Sequence, residues 1–143
     1  MIKLHSSRFR VYYEDTDAGG IVYYANYLRF FERARTDWLR AIGVDQRRLS
    51  ENDAIGFVVR DCAIKFLTPA RLDDELDILV AIDSMPADLR RASMRFVQRA
   101  TLAGGETILA DGVVRVACIS TVNGKPAPIP DWILERMNTS ALT

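Results

Sequence analysis

The stretch YEDTDAGGIVYYANY, Tyr13 to Tyr27, sets three carboxylates (Glu14, Asp15 and Asp17) within four positions. Gly19 and Gly20 follow, then an apolar patch that ends at Asn26. A helix starting there presents unsatisfied backbone N–H groups and the positive end of its dipole, and both favour an oxygen gaining negative charge. The two glycines let backbone approach a ligand closely. Asp17 lies a few residues upstream, within reach of whatever binds. A carboxylate beside such a helix start suits acyl transfer: the backbone polarises a carbonyl, and the carboxylate attacks it or activates water. The same residues also have a structural reading. Asp before Gly is common in turns, and Asp15 or Asp17 can bond local N–H groups, with Glu14 solvated or paired with an arginine.

Other chemistries find less support. The single histidine, His5, is expected near a frayed end, and a Ser–His or Cys–His nucleophile pair would have to use it. No His or Cys spacing resembles a zinc site. Cys62 and Cys118 lie far apart in strand-like runs and are expected to be buried free thiols. If the chain is an enzyme, carboxylates and backbone dipoles are its expected tools.

The elements that must hold this loop can be traced. Phe9, Val11 and Tyr13 alternate along Ser7 to Tyr13 as a strand, and Asp15 to Gly20 reads as a turn. Tyr27, Phe31, Ala34, Trp38 and Ile42 then recur with helical spacing, widened by Leu28 and Leu39, with Asn26 placed as N-cap and Gly43 as the left-handed C-terminal residue. Phe30 falls off that stripe, which implies burial on more than one side. Four strand-like runs follow: Phe57 to Phe66, with Val58, Cys62, Ile64 and Phe66 on one face; Glu75 to Asp83; Arg91 to Thr101; and Glu106 to Ser120. LAGGE reads as a hairpin turn, and Gly112 marks a bulge or a close approach of other backbone. A short terminal helix begins near Asp131. The connections between the four later strands are short, so those strands are expected to pair antiparallel, and the pattern predicts one α+β domain over residues 1–143, a five-stranded antiparallel sheet curled around one long central helix. Its open edges invite pairing in a homodimer or homotetramer.

Lys plus Arg and Asp plus Glu each number 19, so the formal net charge is zero, which argues against a nucleic-acid partner. No apolar run has the length of a membrane span, and the N-terminal residues lack a signal-peptide core, so a cytoplasmic location is expected.

YEDTDAGGIVYYANYLRFFERAR resembles the signature of the 4-hydroxybenzoyl-CoA thioesterase family, hotdog-fold enzymes that hydrolyse acyl-CoA thioesters. FVVRDCAIKFLTPARLDDEL and FVQRA resemble later parts of the subgroup associated with the Tol-Pal system. The resemblance spans roughly Phe9 to Val116. It implies that Asp17 is the catalytic carboxylate and that the oxyanion is bound by backbone N–H near Tyr24. It implies that Asp15 and Gly20 shape the substrate loop, and that arginines at the start of the fourth strand, Arg90 and Arg91, meet the CoA phosphates, with Arg95, Arg60 and Arg71 as alternatives. The implied substrate is acyl-CoA, with acyl carrier protein as a further thioester partner; CoA enters as substrate, and no cofactor is implied. The subgroup commonly has histidine where this chain has Tyr24, so its imidazole assistance and substrate preference are not carried over. The competing expectations are a non-catalytic hotdog module that binds acyl groups or another protein, and a different α+β enzyme such as a dehydratase, which would ordinarily want a pocket histidine where the sequence offers only His5.

Overall fold

The computed structural model describes residues 1–83 and 92–140. Along the chain run strand β1 (Ile2–Arg10), a 3-10 turn (Tyr13–Asp15), helix α1 (Asn26–Ala41), helix α2 (Gln46–Asp53), strands β2 (Ile55–Phe66), β3 (Glu75–Ile82), β4 (Ser93–Leu102) and β5 (Ile108–Ser120), and helix α3 (Asp131–Thr139). The five strands form one sheet in the order β1-β3-β4-β5-β2, antiparallel at every pairing. The α+β class and five-stranded antiparallel sheet expected of a hotdog fold are therefore present. The expectation of one long helix is corrected: the described residues hold three, of which α1 is the longest at 16 residues.

α1 forms because its apolar residues return to one side every three or four positions. Tyr27, Phe30, Phe31, Ala34, Trp38 and Leu39 are buried. Each of the large ones contributes on the order of 1.5–3 kcal/mol by leaving water. Phe30 stacks on Phe9 of β1 with ring centroids 5.9 Å apart, Trp38 meets Phe96 of β4 edge-on at 5.7 Å, and Tyr27 meets Phe66 of β2 at 5.7 Å. The helix thus touches both edge strands of the sheet. Leu28, placed on the apolar stripe, is 43% exposed. The C-terminus closes as the spacing predicts: Gly43 takes φ +85, its N–H donates to Arg40, and the Val44 N–H reaches back to Leu39 at 2.7 Å.

Gly112 sits where β5 runs under α1. A Cβ there would lie 2.9 Å from Ile64 Cγ1, 3.0 Å from the Ala63 carbonyl oxygen and 3.3 Å from the Phe31 ring. That is the close approach its position implied.

Four further expectations change. β1 starts earlier than the alternation suggested, at Ile2, and ends at Arg10. β2 and β3, consecutive in sequence, are not neighbours: β2 pairs with β5 at one edge, and β3 lies between β1 and β4. The face that Val58, Cys62 and Phe66 share on β2 is left exposed. Only one flank is hydrogen-bonded, and Val58 (41%), Val59 (51%) and Phe66 (49%) stay exposed. Cys62 is exposed for the same reason, whereas Cys118 on β5 is buried. Among the described residues, no helix is long and apolar enough to cross a membrane.

Candidate active site

The loop between β1 and α1 is folded back on itself as a small hairpin. The Asp17 N–H donates to the Ile21 carbonyl at 2.9 Å, Thr16 bridges Val22, and the Tyr23 N–H donates to the Asp15 carbonyl at 2.8 Å. The tip is a four-residue turn in which the Gly20 N–H donates to the Asp17 carbonyl at 3.0 Å. Gly20 holds φ +78, a left-handed value that favours glycine, while the space a Cβ would occupy is open. Its requirement is conformational rather than steric.

The two aspartates of the motif occupy opposite environments. Asp15 is buried, and both its carboxylate oxygens are engaged: Oδ1 accepts from Asn26 Nδ2 at 2.7 Å, and Oδ2 from the Tyr12 N–H at 2.8 Å. It fastens the loop to the first residue of α1. Asp17 is exposed, and its Oδ1 accepts from the Gly19 N–H at 2.8 Å. Among the described residues, Oδ2 of Asp17 has no hydrogen-bond partner. The structural reading of the turn is therefore realised at one oxygen of the carboxylate.

Asn26, expected as the N-cap, is the first residue of α1, and the cap position belongs to Ala25, which supplies no side-chain bond. The Asn26 carboxamide is drawn to Asp15 instead. The first turn of α1 contains no acidic residue. Among the described residues, the Tyr24 N–H has no hydrogen-bond partner. The N–H groups of Asn26, Tyr27 and Leu28 donate to the carbonyls of Tyr23, Tyr24 and Ala25, so the donor this helix start keeps for a negative oxygen is the Tyr24 N–H. The hairpin sets that start and Asp17 on one short loop.

The Tyr24 side chain is 59% exposed. Its ring lies 4.9 Å from Tyr23 and meets Phe66 of β2 edge-on at 5.8 Å, so the phenyl group packs against other aromatic rings. Tyr27, deeper beneath Phe66, has its phenol pushed up to about 12 by burial. The segment from β2 to β3 crosses to this loop. The Ala70 carbonyl accepts from the Val22 N–H at 2.9 Å, and Arg71 bridges Ile21. Spacing in the sequence gave no sign of this strap, because its residues lie almost fifty positions from the loop they hold.

The cations fall in several places. Arg90 and Arg91 lie outside the described residues. Arg95 pairs with Asp83, and Arg60 is exposed on β2. Arg71 is exposed and is the arginine carried to the loop by the strap. Among the described residues, no three His, Cys, Asp or Glu side chains gather as metal ligands. His5 is not frayed: it lies within β1, its Nε2 is 3.0 Å from Ser7 Oγ, and Ser7 donates to Asp37 Oδ2 at 3.0 Å. The Ser7 proton is committed to Asp37, so this row ties β1 to α1 and presents no nucleophile.

Comparison with known proteins adds a second line of observation. Residues 11–137 match the family described as the thioesterase-like superfamily. The chain is 42% identical over 121 residues to the acyl-CoA thioesterase YbgC of Haemophilus influenzae, with 85% of each chain covered. It is 44% identical over 125 residues to the acyl-CoA thioester hydrolase YbgC of Escherichia coli O157:H7, covering 87% of this chain and 89% of that one. In architecture it is similar to the 1,4-dihydroxy-2-naphthoyl-CoA thioesterase Slr0204 from Synechocystis, with a TM-score of 0.83, 22% identity, and coverage of 94% and 95% of the two chains.

Proposed function

The chain belongs to the thioesterase-like superfamily, and from that premise we propose that it hydrolyses acyl-CoA thioesters to a free acid and CoA, with Asp17 as the reacting carboxylate. The acyl-CoA thioesterase activity is supported by relatives that carry that name at 42% and 44% identity over most of their length. The observation that carries the site assignment is the convergence of two features on one hairpin: the exposed Asp17 carboxylate and the uncapped start of α1.

In this reading the thioester carbonyl oxygen lies against the Tyr24 N–H, which stabilises the charge that develops on it. Asp17 then acts in one of two ways. As nucleophile it attacks the carbonyl carbon, expels the CoA thiolate and forms a mixed anhydride that water cleaves. As general base it takes a proton from the water that attacks. A single turnover in oxygen-18 water tests for the anhydride: where water cleaves it at the aspartyl carbonyl, the first product carries unlabelled enzyme oxygen, an outcome general-base catalysis cannot give.

Asp15 and Gly20 hold the loop in shape for the substrate. Arg71 beside the hairpin, and Arg90 and Arg91 from the resemblance to the 4-hydroxybenzoyl-CoA thioesterase family and its Tol-Pal-associated subgroup, are the cations assigned to the CoA phosphates. Acyl carrier protein presents the same thioester and is a second substrate partner in this reading. The open edge of β2 is assigned to a second copy of the chain, as a homodimer or within a homotetramer.

One observation favours a second reading, a non-catalytic acyl- or protein-binding module: Oδ1 of Asp17 is spent in its own turn. A thiol-release assay with short aliphatic, long aliphatic and aromatic acyl-CoAs decides between the two. Turnover of any of them supports hydrolysis; binding of all without thiol release supports the module.

A further inference from the structure

The loop that carries Asp17 and Tyr24 is held at both of its stems by the end of the segment between β2 and β3, where Arg71 to Asp74 form a tight turn. We propose that Asp74 is a positioning residue for thioester hydrolysis: its carboxylate fixes this turn, and the turn sets where the Asp17 carboxylate and the Tyr24 N–H stand relative to each other. This rests on Asp17 as the reacting carboxylate and deepens that assignment.

Asp74 contributes its side chain and both of its backbone groups. Its Oδ2 accepts from the Arg71 N–H at 2.8 Å, and its own N–H donates to the Arg71 carbonyl at 3.1 Å, so the turn is closed twice. Its carbonyl accepts from the Val11 N–H at 2.8 Å, where the chain leaves β1 for the loop, and the Asp73 N–H donates to the Val11 carbonyl at 3.0 Å. That is the entry stem. On the return stem Arg71 bridges Ile21, and the Ala70 carbonyl accepts from the Val22 N–H at 2.9 Å. Ile21 is in turn the residue whose carbonyl takes the Asp17 N–H. Arg71 and Ile21 alone therefore stand between the Asp74 carboxylate and the Asp17 backbone.

The turn is also strained. Asp73 holds φ +70, a left-handed value that a non-glycine residue keeps only where its surroundings over-determine it, and such residues gather where geometry is part of function. Here the Val11 pair and Arg10, whose NH1 donates to the Asp73 carbonyl at 2.9 Å, supply that constraint. A carboxylate accepting a backbone N–H makes a stronger bond than a neutral acceptor does. Ala70 is fully buried, so a shift of the turn is passed to the hairpin through close packing. Reacting groups misplaced by about 1 Å cost on the order of 100-fold in rate.

Asp74→Ala removes the acceptor, whereas Asp74→Asn supplies an amide oxygen able to accept the same bond. Asp73→Asn removes an equal charge one residue away and keeps a residue type that tolerates the left-handed backbone, so it controls for charge alone. kcat and KM for thiol release are measured for each, normalised to folded protein. Asp74→Ala is expected to lose about tenfold or more in kcat with KM within about threefold of the parent, while Asp74→Asn stays within about threefold in kcat and Asp73→Asn matches the parent. In an Asp17→Asn background, Asp74→Ala should cost at most about threefold further, because the carboxylate it helps to place is gone. Should Asp74→Ala fail to fold, Asp74→Glu is read in its place: it keeps the charge, moves the acceptor by one methylene, and is expected to show the same loss in kcat. Parent-like turnover by Asp17→Asn would count against Asp17 as the reacting group, and the Asp74 series would still report whether the turn sets kcat. A parent-like kcat in folded Asp74→Ala, a loss confined to KM, an Asp74→Asn as slow as Asp74→Ala, or full additivity with Asp17→Asn overturns the proposal.

Discussion

The carboxamide of Asn26 donates to Oδ1 of Asp15 across 2.7 Å, joining two buried polar side chains eleven residues apart. The bond holds the loop to the first residue of α1, and the adjacent Tyr23 N–H to Asp15 carbonyl bond depends on the same alignment. Replacing Asn26 by Leu leaves a buried carboxylate with only the Tyr12 N–H as donor. The expected cost is about 1–3 kcal/mol of stability, measured by urea unfolding. Thiol release should fall further than the lost folded fraction explains, because the loop that carries Asp17 is loosened.

Gly112→Ala tests the contact between α1 and the sheet. The new methyl group would meet Ile64, the Ala63 carbonyl and the Phe31 ring at 2.9–3.3 Å, and one of these is backbone. Destabilisation of about 1–3 kcal/mol is expected from overpacking, read as a lower midpoint in thermal or urea unfolding. An unchanged midpoint would show that the helix and β5 are less tightly apposed than described.

Burial pushes the Cys118 thiol up to about 11, from an ordinary 9.0. The folded state keeps the proton longer than the unfolded chain does. The resulting contribution to stability is therefore complete below about pH 9 and is lost as pH rises toward 11. Tyr27, pushed up to about 12, adds to the same alkaline limb. Thermal unfolding followed from pH 8 to 11 should show a falling midpoint, and Cys118→Ala should flatten part of that fall. A thiol reagent at neutral pH should label Cys62 in the folded protein and Cys118 only after unfolding.

The outer side of β2 offers unpaired backbone together with Val58, Val59 and Phe66. A Val59→Lys variant puts a charge on that edge and should shift the protein toward the monomer mass in light scattering after size exclusion. The parent should elute at two or four chains. A parent that is monomeric at micromolar concentration contradicts the assignment of this edge to a second copy.

The sequence made some of this legible and hid the rest for physical reasons. α1 is readable because Tyr27, Phe31, Ala34 and Trp38 must share a face to be buried, and burial writes a period into the residues. α2 escapes because QRRLSEND contains one apolar side chain, Leu49; the available signal was Asp45, whose carboxylate accepts from the N–H groups of Arg47 and Arg48. The alternation of Val58, Cys62, Ile64 and Phe66 marks a strand without revealing that it lies at an edge, since an apolar face left exposed alternates in the same way as one turned to a core. Asn26 reads as a cap because Asn is a common cap; only the fold shows a buried Asp15 competing for it. The joining of Asp17 to the helix start was suggested by the motif, whereas the strap through Ala70 and Arg71 required three-dimensional closure.

The central claim is that the charge of Asp17 does the chemistry. Asp17→Asn isolates it, because the asparagine Oδ1 still accepts from the Gly19 N–H and so preserves the turn. The deciding measurement is kcat for thiol release from the best acyl-CoA substrate, in parent and variant proteins of equal thermal midpoint. A fall of about 100-fold or more is predicted; a variant that turns over at close to the parent rate would contradict the account.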